Sequence, residues 1–178
     1  MVERLAILNA AHPRRLLRGL RHPAQLRKSW YFFFFATPQL PERVVRAKHW
    51  RFCRNFLRDA HPAYTQADVD RYVKAWSQPG AAAGMIDYYR ASVREKDAEA
   101  KIRPISAPTL VIWGLGDRYL GANLAEPDRA DVPGLDRVER LPGASHWVHH
   151  DDPQRVNQLL SDFFAPGRAS EHRQTSTT

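Results

Sequence analysis

The 178-residue chain is one domain's length and long enough to bury a sizeable core, and 43% hydrophobic with 11% aromatic residues excludes global disorder. Its net charge of +8 is lopsided: residues 1–60 hold 13 Lys/Arg against three acids (Glu3, Glu42, Asp59), and the rest holds 14 against 16. The arginines fall at helical spacings among Leu, Trp and Phe and form no polybasic tract, so the block reads as a solvated face of amphipathic helices and no nucleic-acid partner is expected.

Residues 2–9 form a short apolar run that reads as a buried strand, stopped by Asn9-Ala10-Ala11-His12-Pro13, where Pro13 disfavours helix at the residue before it. From 13 to about 95 the periodicity is helical. Leu16, Leu17 and Leu20 make one apolar stripe; Val44, Val45, His49, Phe52, Phe56 and Leu57 make another. Thr65 is an expected N-cap for Gln66 to Trp76, with Asp68 in the capping-box position. Pro79-Gly80 ends that helix and the next runs from Ala81 to about Arg94. Beyond 104 the pattern alternates: strand from Pro108 to Trp113, strand from Asp136 to Leu141, and an amphipathic helix from Pro153 to Phe164 capped by Asp152. The polar, Ser/Thr-rich stretch 167–178 reads as a disordered tail.

Two short segments carry chemistry. Trp113-Gly114-Leu115-Gly116-Asp117 and Gly143-Ala144-Ser145-His146-Trp147 each follow an apolar run. Asp117 and His146 lie 29 residues apart, room for a strand end, a helix and the next strand, so both can reach one edge of a parallel sheet. A carboxylate beside an imidazole fixes its tautomer and stabilises the imidazolium formed when the ring takes a proton. His149 and His150 with Asp151 and Asp152 lack a further Cys or His at ligand spacing, so no metal site is expected, and Gly114, Gly116 and Gly121 are wrongly spaced for a dinucleotide fingerprint. No cofactor is expected. Cys53 has no evident partner base and reads as a small core residue.

Several segments together resemble one family. Leu8-Asn9-Ala10-Ala11-His12-Pro13 resembles the strand end that enters the helical cap of the epoxide hydrolase and haloalkane dehalogenase branch of the alpha/beta hydrolases. Ser29-Trp30-Tyr31-Phe32-Phe33-Phe34-Phe35, with Pro38 and Leu40-Pro41-Glu42, resembles its first cap motif, and Met85-Ile86-Asp87-Tyr88-Tyr89-Arg90 its second. Leu110-Val111-Ile112-Trp113-Gly114 with Asp117, and Gly143 to Trp147, resemble two later core motifs. The resemblance implies an incomplete α/β-hydrolase fold of the α/β class. Residues 1–12 would be a core strand entering the cap, 13–100 the helical cap and 101–166 the C-terminal part of the core, with the N-terminal half of the sheet absent. It also implies roles: Tyr31 and Tyr89 would hydrogen-bond an epoxide oxygen, and His146, oriented by Asp117, would activate the water that hydrolyses an ester intermediate. A small hydrophobic epoxide is the implied substrate, held in an aromatic cap cavity drawn from Trp30, Phe32 to Phe35, Trp76 and Tyr88.

The sequence departs from that family at the nucleophile. Neither a strand-to-helix elbow bearing Asp or Ser nor an oxyanion-hole loop of the His-Gly-x-Pro kind occurs, so the chain alone is expected to be catalytically silent, a fragment of a hydrolase. A related dehalogenase, a serine ester hydrolase and a non-catalytic basic interaction module stay open. Against the dehalogenase stands Phe32, which offers a halide no ring N–H. Residues 2–9 would form an exposed sheet edge that invites homo-oligomerisation. The single cysteine, the absence of a run of about 18 apolar residues and a start without the basic-then-apolar order of a signal peptide point to a cytoplasmic location and no membrane span.

Overall fold

A computed structural model of the chain describes residues 2–60, 64–94 and 101–165; the stretch 167–178 and the boundary expected near 100 lie outside or at the margin of these. Three strands form a parallel sheet in the order β1 (Leu5–Leu8), β2 (Thr109–Gly114), β3 (Leu135–Leu141). The central strand, Thr-Leu-Val-Ile-Trp-Gly, is buried along its whole length, as expected of a parallel strand covered on both faces. Its alternate residues divide the core. Leu110 and Ile112 pack against Leu141, Val148, Val156, Leu159 and Phe163, while Val111 and Trp113 pack against Leu120, Leu124, Val132 and Leu135. Helix α8 (Pro153–Phe164) closes the first face, and Asp152 accepts a hydrogen bond from the Arg155 N–H at its start.

Among the described residues six helices run between β1 and β2: α1 (Pro13–Gly19), α2 (Pro23–Lys28), α3 (Trp30–Ala36), α4 (Leu40–Ala60), α5 (Gln66–Trp76) and α6 (Ala81–Arg94). A third apolar cluster, Val45, Trp50, Ala82 and Ile86, ties α4 to α6. The Thr65–Asp68 capping box is complete in both directions. Arg90 of α6 donates to the Glu42 carboxylate of α4 at 2.9 Å and to the Thr37 carbonyl at 2.8 Å, so a charged clamp joins the same two helices from the side. The short helix α7 (Val148–Asp151) precedes α8.

Two expectations need correction. The first strand is four residues, not eight. Asn9 adopts a φ of +41°, which turns the chain out of the sheet as soon as its N–H has bonded the Ile112 carbonyl. Helix α4 does not carry one continuous stripe. Ala47 is extended and Lys48, His49 and Trp50 are left-handed (φ +50°, +53° and +62°), so the helical phase is broken. The break exposes His49 and turns Trp50 inward, where its ring lies 5.9 Å from that of Trp76. In α1 the outward residue of the expected stripe is Leu17, which is 42% exposed.

Candidate active site

The loops leaving β2 and β3 are zipped together. The Leu115 N–H donates to the Leu141 carbonyl at 3.1 Å and the Gly116 N–H to the Ala144 carbonyl at 2.9 Å. Gly114 makes this approach possible: a Cβ there would lie 2.1 Å from the Ser145 carbonyl oxygen. Gly143, at φ +82°, turns the second loop. Asp151 then anchors that loop by accepting from the Ser145 N–H, and the Ser145 hydroxyl accepts from the Trp147 N–H at 3.1 Å. The result sets His146 over the end of β2.

Asp117 and His146 meet there, with Asp117 Oδ2 2.8 Å from His146 Nδ1. The carboxylate is almost wholly buried and its other contacts all come from donors: Asn9 Nδ2 at 2.7 Å on Oδ2, and the Tyr119 and Leu120 backbone N–H groups at 2.7 and 2.9 Å on Oδ1. Burial pushes the Asp117 carboxyl up, but His146 first, then the Leu120 N–H and Asn9, outweigh it and hold the group below its ordinary value. It is therefore a carboxylate at neutral pH. The His146 side chain keeps 28% of its surface exposed, so the ring edge away from Asp117 remains accessible.

Three side chains to which the sequence assigned no role in the site build this arrangement. Asn9 bridges two strands' ends, accepting from the Gly114 N–H at 2.8 Å while donating to Asp117. From α2, buried Gln25 donates to the Tyr119 carbonyl at 2.8 Å and accepts from the Gly121 N–H at 2.9 Å. Lys28 donates to the Asp117 carbonyl at 2.9 Å. Together they hold the 117–121 loop against the helices. A position for Asn9 at the strand end was legible, but nothing in an isolated Gln or Lys marks it as a clamp.

Tyr31 of α3 and Tyr89 of α6 come together from separate helices. Their ring centroids are 6.1 Å apart and nearly perpendicular. Tyr31 also packs edge-on to Tyr119 at 5.7 Å, and Tyr119 edge-on to His146 at 5.5 Å, so one aromatic file connects the phenols to the imidazole. Neither Tyr31 nor Tyr89 has a hydrogen-bond partner for its hydroxyl among the described residues. Burial pushes both phenols above their ordinary range, with Tyr89 and Asp117 adding to the effect at Tyr31 and Tyr88 at Tyr89. Both stay protonated at neutral pH and can donate. A cavity of about 450 Å³ opens beside Tyr31, walled by Trp30, Phe52, Phe56 and Tyr119. Asp117 and His146 do not line it; Tyr119, on which Phe56 stacks at 4.5 Å, stands between.

The expected aromatic wall is thus corrected. Of Trp30, Phe32 to Phe35, Trp76 and Tyr88, Trp30 borders this cavity. Phe33 and Tyr88 are exposed, Phe34 and Phe35 pack on Phe52, and Trp76 stacks on Trp50 and Tyr72. Four consecutive aromatics on a helix must point around its whole circumference, so they cannot share one cavity. Cys53 is half-buried beside the third cluster, and burial pushes its thiol up to about 11, well away from reactivity. His150, from α7, meets the Tyr72 hydroxyl at 3.2 Å and packs on Tyr64. No group of three or more His, Cys, Asp or Glu among the described residues could hold a metal ion, and no described helix is long and apolar enough to cross a membrane.

Comparison with known proteins gives the family. A model of the alpha/beta hydrolase family matches residues 2–159. Human epoxide hydrolase 4 is 32% identical over 171 residues, covering 92% of this chain and 47% of that protein. The AB hydrolase superfamily protein YfhM of Bacillus subtilis is 33% identical over 166 residues, covering 91% and 57%. Among solved structures, an epoxide hydrolase of Bacillus megaterium superposes with a TM-score of 0.76 at 25% identity, covering 91% of this chain and 60% of that one. The chain spans about half the length of the curated relatives it matches, and its sheet and helices correspond to the C-terminal part of the fold. The chain belongs to the alpha/beta hydrolase family, in its epoxide hydrolase branch.

Proposed function

We propose that this chain carries the water-activating pair and the epoxide-polarising phenols of an epoxide hydrolase. The observation that carries the reading is the pairing of two half-buried phenols from different helices, without hydroxyl partners among the described residues, joined through Tyr119 to a hydrogen-bonded Asp117–His146 pair. A carboxylate supplied by the part of the fold that this chain does not span would attack an epoxide carbon. The carbon–oxygen bond breaks, its electron pair goes to oxygen, and the Tyr31 or Tyr89 hydroxyl donates a proton to the developing alkoxide. An alkyl ester of the carboxylate results. His146, through the ring nitrogen not facing Asp117, takes a proton from water; the hydroxide adds to the ester carbonyl, the ester carbon–oxygen bond breaks, the leaving alkoxide takes the remaining hydroxide proton to give the diol and the carboxylate, and the imidazolium's proton returns to the phenolate. Asp117 holds the tautomer this requires and stabilises the imidazolium.

The test joins this chain to the remaining N-terminal portion of an active epoxide hydrolase and measures diol formation from styrene oxide. The reading expects turnover that Tyr31→Phe and Tyr89→Phe reduce, and that His146→Ala arrests after one equivalent of ester has formed. A folded chimera with no activity, or one indifferent to all three substitutions, would refute it.

A further inference from the structure

The charged side chains among the described residues that line the cavity beside Tyr31 are all of one sign. Its aromatic walls are completed by Arg27 and Lys28 from α2 and Arg118 from the loop after β2, with Asn55 the remaining polar group. Among the described residues no acidic side chain lines it. Two further concavities continue along α4 and share Asn55 with the first; the nearer also shares Phe52. Their charged residues are Lys48, Arg51 and Arg54, joined by His49, and again no acid lines them among the described residues. None of these six cations has an ion-pair partner among the described residues, whereas Arg14 pairs with Asp131, Arg90 with Glu42, and Arg137 with Asp136 and Glu139. The nearby carboxylate, Asp117, points inward and is saturated by His146, Asn9 and two backbone N–H groups. A cleft walled by low-dielectric aromatic rings and bordered by cations of one sign focuses a positive potential inside itself.

We infer that the substrate is an aromatic or alkyl epoxide bearing an acid group, whose anionic end is recognised by Arg27, Lys28 and Arg118 while its apolar body lies against Trp30, Phe52 and Phe56. This rests on the epoxide reading and narrows it. Lys28 has a second duty, its ammonium being partly engaged by the Asp117 carbonyl. Arg27 and Arg118 are exposed and free to move onto the ligand. Arginine's planar fork suits a carboxylate in two parallel hydrogen bonds, which a lone ammonium does not. The long aliphatic stems of both arginines extend the apolar wall outward, so a neutral ligand gains from the same residues only through packing.

The experiment titrates the 178-residue chain with 4-(oxiran-2-yl)benzoate and with its uncharged isostere 4-(oxiran-2-yl)benzamide, following tryptophan fluorescence (Trp30 borders the cavity) and confirming by calorimetry. Two exposed arginines and the half-buried Lys28, each contributing a contact of modest strength, predict an advantage of about tenfold for the carboxylate at low salt. The advantage should shrink in Arg27→Ala and Arg118→Ala, and fall toward unity in the double variant and at about 0.5 M salt. Equal affinity of the two ligands, or a carboxylate preference that survives the double variant, would overturn the inference. Failure of either ligand to bind would overturn it as well. Failure of the epoxide reading is recognised separately: benzamide binding would then be indifferent to Tyr31→Phe and Tyr89→Phe, whatever the effect of charge.

Discussion

The two halves of the candidate site are held by opposite means. At the sheet edge, the Asp117 carboxylate accepts from a histidine ring, an asparagine amide and two backbone N–H groups, and a shift of any one leaves a buried charge short of a partner. Between α3 and α6, Tyr31 and Tyr89 are held by ring contacts alone, and their hydroxyls bond to no described residue. The difference suits the chemistry proposed for each. A group that must keep one tautomer and one orientation is locked by directional bonds. A group that must donate to something that arrives later is fixed by packing, with its donor left uncommitted.

Substitutions can break this contrast, the largest effects belonging to the sheet edge. In the chimeric enzyme, His146→Ala should reduce steady-state turnover by about 10²–10⁴-fold, the usual span for a lost general base. Asp117→Asn should come close to it, since the amide keeps the shape but not the charge that favours the imidazolium. In the chain itself, Gly114→Ala should cost about 3 kcal/mol or more in urea unfolding, because the new methyl meets the backbone carbonyls of Ser145 and Ala144 and not a yielding side-chain tip. Asn9→Ala should cost about 1–3 kcal/mol by stranding the buried Gly114 N–H and removing a donor from Asp117, with a further penalty because alanine tolerates a positive φ less well than asparagine. Tyr31→Phe should shift stability by less than about 0.5 kcal/mol, as no described residue loses a hydrogen bond, while still impairing epoxide opening. Equal destabilisation by Asn9→Ala and Tyr31→Phe would erase the contrast.

Acid sharpens it further. Asp117 titrates below its unfolded value in the native state, so the unfolded chain binds the proton more readily. Its stabilising contribution is complete above the unfolded value of 3.8 and is lost as pH falls through the depressed native value. Denaturant midpoints measured downward from pH 5 should fall for the wild-type chain and fall less for Asp117→Asn. Matching slopes would assign the acid sensitivity to other carboxylates.

Where local chemistry dictates structure, the sequence was enough. Thr65 with Asp68 and Asp152 before Pro153 announce helix starts because a side-chain acceptor must satisfy free N–H groups there, and both caps form. The continuous apolar run of β2 identifies the buried central strand for a similar reason. The Asp117–His146 contact was legible because both residues end apolar runs on one sheet edge. The break in α4 was not: Lys48, His49 and Trp50 carry no glycine or proline signal, and only the burial of Trp50 against Trp76 and the α6 cluster rationalises the turn. Gln25 and Lys28 were equally silent, since their partners are backbone groups about 90 residues away whose approach depends on the whole fold.

The tautomer of His146 tests the account at its centre. Nitrogen-15 NMR of the imidazole in the isolated chain, at neutral pH, reports which ring nitrogen carries the proton. The expected result is a protonated Nδ1 hydrogen-bonded to Asp117 and an unprotonated Nε2 free to accept a proton from water, a pattern that Asp117→Asn disturbs. A neutral ring protonated at Nε2, unchanged by Asp117→Asn, would contradict it.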